Sequence, residues 1–217
     1  IIVTATDSSS AAATASDTFV LTVTNTNDAP TVSSAIADAS TAEDSAYSLD
    51  ISGNFADSDV GDSISFTASG MPSTLLMSSA GTISGTPVNA DVGAHSIIVT
   101  ATDDSSAAGT VTDTFVLTVT NTNDVPTVSS PIADASTDED AAYSLDVSGN
   151  FADVDVGDTL SYAATGMPST LSMSTSGTIS GTPVNADVGT HTIVVTATDS
   201  SSAAAAASDT FVLTVVN

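Results

Sequence analysis

The sequence predicts an all-β protein built from tandem β-sandwiches stacked end to end. Three observations predict this class. Apolar and polar side chains alternate, a 96-residue unit recurs along the chain, and runs rich in Thr, Val and Ile are separated by Gly, Pro, Asn and Asp. The period within a unit is two rather than 3.6, which favours strands over helices.

The repeat predicts the domain organisation. The pentapeptide VTATD occurs at 3–7, 99–103 and 195–199. When residues 26–121 are aligned with 122–217, 73 of 96 positions are identical. Residues 1–25 align with the end of a unit, so we expect them to be the C-terminal strands of a preceding repeat. Because the chain begins in mid-unit, we expect the parent chain to be a longer array.

Each full unit is predicted to contain seven strands. Tyr47, Leu49 and Ile51, for example, alternate with polar neighbours. The predicted strands are A near 31–37, B 46–52, C 63–69, D 74–78, E 81–86, F 95–101 and G 114–120. Seven short strands in about 96 residues are typical of an immunoglobulin-like sandwich.

Charge limits the possible partners. The chain has 26 acidic residues, no Lys or Arg, and a net charge of −26. Without basic side chains it cannot neutralise phosphate, so nucleic acid is excluded, and an anionic membrane surface is disfavoured. There is no cysteine and no apolar run of about 20 residues, so we expect neither disulfides nor membrane insertion. Bound cations or high salt must relieve the self-repulsion.

The acids are expected to collect at the two ends of each sandwich. We call the end where strand G leaves the lower pole, and the opposite end the upper pole. At the junction 121–126, the sequence NTNDVP should meet acids from both neighbouring units. These are Glu43, Asp44 and Asp91 from the lower pole, Asn121, Asn123 and Asp124 from the linker, and Asp153, Asp155, Asp158 and Asp199 from the upper pole. Converging carboxylates with no basic partner favour a hard cation with oxygen ligands, so we predict Ca²⁺ here. For any single Asp, turn capping is the competing interpretation.

The same pattern occurs one unit earlier and one unit later. The earlier junction would use Asn27, Asp28, Asp57, Asp59, Asp62, Asp103 and Asp104, and the later lower pole carries Glu139 and Asp187.

Two stretches of the sequence resemble known families. Residues 99–126, VTATDDSSAAGTVTDTFVLTVTNTNDVP, are similar to the last third of a cadherin repeat. Residues 70–103, GMPSTLLMSSAGTISGTPVNADVGAHSIIVTATD, resemble the dystroglycan-type cadherin-like and immunoglobulin-like repeats of large bacterial surface proteins. The resemblance implies a seven-stranded Greek-key sandwich with calcium at the domain junctions.

The resemblance also implies site residues. Asp57 with Asp59, and Asp153 with Asp155, match the cadherin Asp-x-Asp pair; Asp7, Asp103 and Asp199 match Ala-x-Asp; Asn27, Asp28, Asn123 and Asp124 match the linker. The chain departs from the pattern in three places. Asn25 and Asn121 stand where an acid is usual, the Leu-Asp-Arg-Glu segment is absent with only Asp91 and Asp187 nearby, and Glu43 and Glu139 lack the preceding proline. Fewer acids imply one or two weakly bound ions per junction.

Other chemistry has little support in the sequence. His95 and His191 occupy equivalent positions in different units, so neither a zinc site nor a triad is expected, and we predict no enzyme activity. The alternative is a carbohydrate-binding adhesion module. However, there is no Trp, and Tyr47, Tyr143 and Tyr162 fall on the inward phase of their strands.

The sequence therefore predicts an extracellular or cell-surface structural element, a stalk, extender or fibre segment with calcium-stiffened junctions. Its expected partners are neighbouring repeats of the same chain and, in a fibre, other copies. Any glycan or cell-surface ligand would bind elsewhere in the parent protein.

Overall fold

The computed structural model describes residues 1–59, 61–105, 108–201 and 204–217. The protein is all-β, as predicted, and its described helical residues belong to four single-turn 3-10 segments at Ser52–Asn54, Asn89–Asp91, Ser148–Asn150 and Asn185–Asp187. The first strands form a hairpin, β1 (Ile2–Thr6) and β2 (Thr14–Thr18).

Two similar sets of strands follow the hairpin. The first repeat contains β3 (Thr31–Val32), β4 (Ala39–Ala42), β5 (Tyr47–Asp50), β6 (Phe55–Ala56), β7 (Ile64–Ser69), β8 (Leu75–Met77), β9 (Thr82–Gly85), β10 (Gly93–Asp103) and β11 (Thr110–Thr120). The second contains β12 (Thr127–Val128), β13 (Ala135–Asp138), β14 (Tyr143–Asp146), β15 (Phe151–Ala152), β16 (Ser161–Thr165), β17 (Leu171–Met173), β18 (Thr178–Gly181), β19 (Gly189–Thr198) and β20 (Ala206–Val216).

Each repeat packs a four-stranded sheet against a three-stranded sheet. In the first repeat the orders are β4-β11-β10-β7 and β5-β9-β8, and in the second β13-β20-β19-β16 and β14-β18-β17. The long hairpin β10–β11 is antiparallel and sets the register, with Ile97 opposite Phe115 and Ala101 opposite Val111. Because directly opposite residues share a face, this register keeps the apolar side chains on the inner side.

Strand A differs from the prediction of one strand near 31–37. It is split into β3, which pairs with β6, and β4, which pairs in parallel with β11, while the residues between them cross from one sheet edge to the other. The crossing segment is held by side chains as well as by the backbone carbonyl of Asn54, which accepts the N–H groups of Ser33 and Ser34. The Ile36 N–H donates to Asp113 at 2.7 Å, and the Asn54 amide donates to the Ser34 carbonyl at 3.1 Å. These bonds replace the ladder, so the backbone can leave one sheet without losing its partners.

The two sandwich cores are equivalent and separate. The largest fully buried side chain in each is the phenylalanine of the last strand, Phe115 and Phe211, and each is 1% exposed. An edge-to-face aromatic pair closes the upper half of each core, Phe55 with Phe66 at 5.4 Å and Phe151 with Tyr162 at 5.8 Å between ring centroids. Tyr162 stands at the position of Phe66 in the first repeat. Its additional hydroxyl donates to the backbone carbonyl of Ser148 at 3.1 Å.

The N-terminal hairpin has the same register as β10–β11 but a different environment. Phe19 and Leu21 are 49% and 64% exposed, whereas their equivalents Phe115 and Leu117 are 1% and 0% exposed. Residues 19–24 form no strand. In a full repeat the matching residues pair with β4 and with the start of β10, and residues 1–25 contain no counterpart of either.

Candidate metal centre

The linker at the junction 121–126 is held from the lower pole of the first repeat. The Thr122 N–H donates to Glu43 Oε1 at 2.9 Å, and Asn89 Nδ2 donates to Asp124 Oδ2 at 2.7 Å. Glu43 is brought here because its own N–H continues the parallel β4–β11 pairing by donating to the Thr120 carbonyl at 3.0 Å. The last strand of the repeat therefore fixes both the acid and the linker that follows it.

The same linker is held from the upper pole of the second repeat. The Asp124 N–H donates to Asp155 Oδ2 at 2.7 Å, and Asn123 Nδ2 donates to Asp199 Oδ2 at 3.1 Å. The linker thus donates hydrogen bonds to acids of both repeats and accepts one from Asn89 of the first repeat. This arrangement brings together residues that lie far apart in the sequence.

A cluster of three acids lies in the loop after β15. One carboxylate oxygen from each of Asp153, Asp155 and Asp158 lies within 4.8 Å of the others. The loop folds this way because Asp153 Oδ1 accepts the Asp155 N–H at 2.9 Å, an Asx turn that points both side chains inward. Asp155 is only 6% exposed, although it is charged.

Several oxygen atoms at this junction are buried and have no hydrogen-bond partner. Four are carboxylate oxygens and two are amide oxygens: Glu43 Oε2, Asp153 Oδ2, Asp155 Oδ1, Asp158 Oδ2, Asn89 Oδ1 and Asn123 Oδ1. Burying an ionised oxygen without a partner is costly, and the sequence has no Lys or Arg that could pair with it. An oxygen-rich set of this size is the type that Ca²⁺ accepts, with six to eight ligands and loose geometry.

Glu43 experiences the negative field of this cluster. It is 1% exposed, and burial raises the pKa of its carboxyl above the ordinary value. The N–H of Thr122 opposes that shift, whereas the carboxylates of Asp44, Asp124 and Asp155 add to it. A carboxyl with such surroundings needs either a proton or a nearby cation.

The upper pole of the first repeat has the same construction. Oxygens of Asp57, Asp59 and Asp62 lie within 4.8 Å of one another. The Asp28 N–H donates to Asp59 Oδ2 at 2.6 Å, as Asp124 does to Asp155, and Asn27 Nδ2 donates to Asp103 at 3.2 Å. The sequence predicts that Asn27, Asp28 and these acids lie at one pole, and the structure places them there.

One substitution makes the two upper poles unequal. In the first repeat, burial and then the carboxylate of Asp104 raise the pKa of Asp62. In the second repeat Ser200 replaces Asp104, and its hydroxyl donates to Asp158 Oδ1 at 3.3 Å. The upper pole of the first repeat thus contains one more acid.

Asp103 and Asp199 connect the strand β10 or β19 to the loop that follows. The hydroxyls of Ser105 and Ser201 hold the pKa of these two carboxyls below their ordinary value, and burial opposes the shift. Their second oxygens accept the linker amides of Asn27 and Asn123. Each Asp therefore both orders its own loop and positions a linker side chain.

Asp91 and Asp187 are placed differently from the other predicted ligands. Asp91 Oδ2 accepts the Thr74 hydroxyl and the Val88 N–H, the latter at 3.1 Å, so this carboxylate faces its own repeat and caps the 3-10 turn. Asp187 makes the same contacts with Thr170 and Val184. The side chain that reaches the linker is Asn89, two residues earlier, which the sequence analysis did not select. The motif VNAD places Asn89 two residues before the capping acid, and this spacing is the signal that the sequence contains.

The remaining predicted residues lie at the margins. Asn121 is exposed at the end of β11, and Glu139 is half-buried at the lower pole of the second repeat. His95 and His191 each donate from Nε2 to a backbone carbonyl of their own repeat, that of Asp91 or Asp187, at 2.7 Å. Both histidines therefore stabilise the 3-10 turn of their own repeat. Among the described residues, no helix has the length and apolar character needed to cross a membrane.

Comparison with known proteins agrees with this architecture. The chain is 38% identical over 138 residues to the serine-rich adhesin for platelets of Staphylococcus aureus strain MRSA252, a match that covers 62% of this chain and 9% of the adhesin. This chain thus corresponds to a small part of the curated relatives that it matches.

Solved structures show the fold. Mouse cadherin-23 repeats EC22–24 align over 99% of this chain and 73% of that chain, with a TM-score of 0.63 and 18% identity. Drosophila N-cadherin EC1–4 aligns over 88% of this chain and 50% of that one, with a TM-score of 0.56 and 18% identity. At these identities the likeness shows tandem cadherin-like sandwiches and no more.

A family model described as "Putative Ig domain" matches residues 29–120 and again residues 125–216. Together these segments cover most of the chain, and each contains one complete sandwich. The chain belongs to this immunoglobulin-like domain family, in a tandem arrangement.

Proposed function

We propose that this chain is a structural spacer of an extracellular, adhesin-like surface protein, and that Ca²⁺ at the junction 121–126 holds successive repeats in a fixed orientation. The repeats would be 26–121 and 122–217, with 1–25 contributing strands to a preceding unit. Their main partners would be neighbouring repeats of the same chain. The adhesin relatives and the tandem sandwich fold support the spacer role.

The observation that carries the calcium proposal is the set of buried oxygens without partners. Glu43 comes from one repeat and Asp155 from the next, and each is more than nine-tenths buried with one free oxygen. A cation bound by both would link the two repeats, because neither repeat alone supplies the whole ligand set. Glu43, Asp153, Asp155 and Asp158 would provide carboxylate oxygens, and Asn89 and Asn123 would provide amide oxygens.

Bound calcium would supply positive charge at the one place where the two poles repel each other. Ligands shared between repeats would also restrict rotation about the linker, since any hinge movement would separate Glu43 from Asp155. The chain's own contribution is to hold the linker against both poles through Thr122, Asn123 and Asp124. Stiffness, and therefore reach, would follow from occupancy of the junction.

The test is thermal unfolding of the chain in millimolar Ca²⁺ and again in excess EDTA. At a hundred times the dissociation constant, one site should add about 2.7 kcal/mol to the free energy of unfolding. A double variant, Asp153→Asn with Asp155→Asn, should lose most of this gain. The matched control is Asp146→Asn, which removes an exposed strand carboxylate from the same repeat and should retain the gain.

An unchanged calcium response in the double variant would show that the ion binds elsewhere. No response in the parent chain would remove calcium from the proposal and leave a flexible spacer. Small-angle X-ray scattering on the same samples tests the mechanical part, because Ca²⁺ should narrow the distribution of maximum dimensions.

A further inference from the structure

The outward surface of one sheet differs from the rest of this acidic protein. We call the outward side chains of β7, β10 and β11 the neutral face. Every residue in these outward positions is Ser, Thr, Ala, Val or Ile. The chain carries a net charge of −26, so an acid-free sheet face is unusual in it.

The register arranges this face in straight rows across three strands. Thr67, Thr100 and Thr112 are directly opposite one another, and Ser65, Thr102 and Thr110 form the next row. The third row places Ile98 between Ser69 and Thr114. Ile98 is 45% exposed in a central strand, and Val116 lies diagonally from it on the same face, half-exposed. The result is a small apolar centre surrounded by hydroxyls.

An acid at the edge of the neutral face is restrained by a hydrogen bond. Asp38, just before β4, accepts the Val116 N–H through Oδ1 at 2.7 Å, which keeps the carboxylate at the edge strand. The edge strand itself presents Ser40 and Ala42 on the outward phase. In the second repeat the residue equivalent to Ala42 is Asp138, which is exposed in β13. The neutral face is therefore more complete in the first repeat.

The two poles and the opposite sheet of the first repeat present carboxylates. The upper pole carries Asp57, Asp59 and Asp62, and the lower pole carries Asp44 beside the junction. The opposite sheet has Asp50 exposed on β5. Two copies of a chain without basic residues repel each other wherever these groups meet, because no ion pair can form between them.

We propose that the neutral face of the first repeat is a self-association surface, and that its occupant is the same face of a second copy. The two faces would pack sheet against sheet about a two-fold axis, with Ile98 and Val116 at the centre and Thr and Ser hydroxyls around them. This is the approach that brings the fewest carboxylates together. The association does not use the junction cation and does not rest on the calcium proposal.

Salt concentration gives the first measurement. Sedimentation equilibrium of the whole chain in EDTA should show a concentration-dependent mass that moves from one chain towards two, and the association should strengthen between ~0.05 M and ~0.5 M NaCl as screening increases. A monomer at every concentration and salt level would overturn the proposal. Binding of a neutral glycan to the face, with the chain remaining monomeric, would also overturn it.

Two variants with a matched control locate the surface. Ile98→Asp and Thr100→Asp should each weaken association ~10-fold or more, because each places an unpaired carboxylate in the centre of the contact on both copies. The control Leu76→Asp adds the same charge at a 72% exposed apolar position on the opposite sheet and should associate like the parent chain. Equal weakening by Leu76→Asp would show a general charge effect. Association insensitive to both neutral-face variants would assign it to another surface, such as the exposed apolar residues of the N-terminal hairpin. Either result contradicts the proposal.

Discussion

The lower pole of the first repeat is covered by the linker and the second repeat, whereas none of the described residues forms a linker or a repeat on the lower pole of the second. Glu43 is 1% exposed, and its equivalent Glu139 is half-buried. Asn89 donates to the linker carboxylate of Asp124 at 2.7 Å, but Asn185 turns back to Glu139 at 3.4 Å. Nearly identical sequences therefore make different contacts at the two poles.

This difference separates what one repeat determines from what two repeats determine together. The capping of the 3-10 turn by Asp91 or Asp187 is the same in both poles, so it belongs to the single domain. The burial of Glu43 and the orientation of Asn89 occur only where a linker follows. The three-acid cluster thus belongs to a single repeat, whereas the addition of Glu43 and Asn89 to it is a property of the junction.

The largest expected difference between the poles concerns the two glutamates. Glu43→Gln should weaken calcium binding at least tenfold, about 1.4 kcal/mol, because it removes a buried charged ligand. Glu139→Gln, at the lower pole of the second repeat, should leave calcium binding unchanged. Isothermal titration with Ca²⁺ measures both. In EDTA, Glu43→Gln should raise the melting temperature, since it removes a buried charge that no cation neutralises, while the amide oxygen can still accept the Thr122 N–H.

Equal calcium affinities for the two glutamine variants would contradict the comparison between the poles. Loss of binding in both would mean that the ion lies at a lower pole without help from the next repeat.

A smaller difference is expected for the asparagines. Asn89→Ala removes a hydrogen bond from an amide to a carboxylate and should cost about 1–2 kcal/mol of linker stability. Hydrogen exchange of the Thr122 amide, which is held by Glu43, should accelerate accordingly. Asn185→Ala should leave that amide unaffected, because its side chain donates to Glu139 of its own repeat. Equal protection of Thr122 in the two variants would show that Asn89 does not hold the linker.

The smallest difference between the poles should be found for Asp91 and Asp187, which cap the 3-10 turns in the same way in both repeats. The Val184 N–H and the Thr170 hydroxyl hold the pKa of Asp187 below its ordinary value of 3.8, with help from His191, and Asp91 is also lowered. A lowered carboxyl pKa contributes stability above pH 3.8, and that contribution is lost as the pH falls through the folded-state pKa.

Thr74→Val and Thr170→Val should therefore lower the melting temperature by similar amounts at pH 7, and the deficit should shrink below pH 3.8. Thermal scans at pH 7 and pH 3 measure this. A much larger effect in one repeat would show that the junction depends on the cap as well.

Sequence periodicity was sufficient to predict the sandwich fold and the position of the acids at its poles. The alternation along β10 and β11 determines which side chains face inward, and loops between such strands must lie at the two ends. The split of strand A was not predicted, because pairing of β4 with the distant β11 depends on side-chain hydrogen bonds from Asp113 and Asn54. Such bonds leave no periodic pattern in the sequence.

The candidate site was predictable in its chemistry but not in its detail. The convergence of carboxylates at the poles predicted a cation, and the resemblance to cadherin repeats implied the Asp-x-Asp pairs as ligands; ion binding itself stays a prediction. The role of Asp91 was harder to predict, because a carboxylate can face either side of a single turn. Only the packing of Thr74 against that turn selects the inner side, and it leaves Asn89 to reach the linker.

The parallel pairing of β4 with β11 has a consequence for force. The chain enters each repeat at the upper pole and leaves it at the lower pole, so tension along the array pulls β4 upward and β11 downward. Leu117 to Thr120 pair with Ala39 to Ala42 over this stretch. Because the pull runs along the strands, these hydrogen bonds bear the load together in shear and cannot open one after another. An array of such repeats should therefore resist extension much better than a hairpin opened from its end.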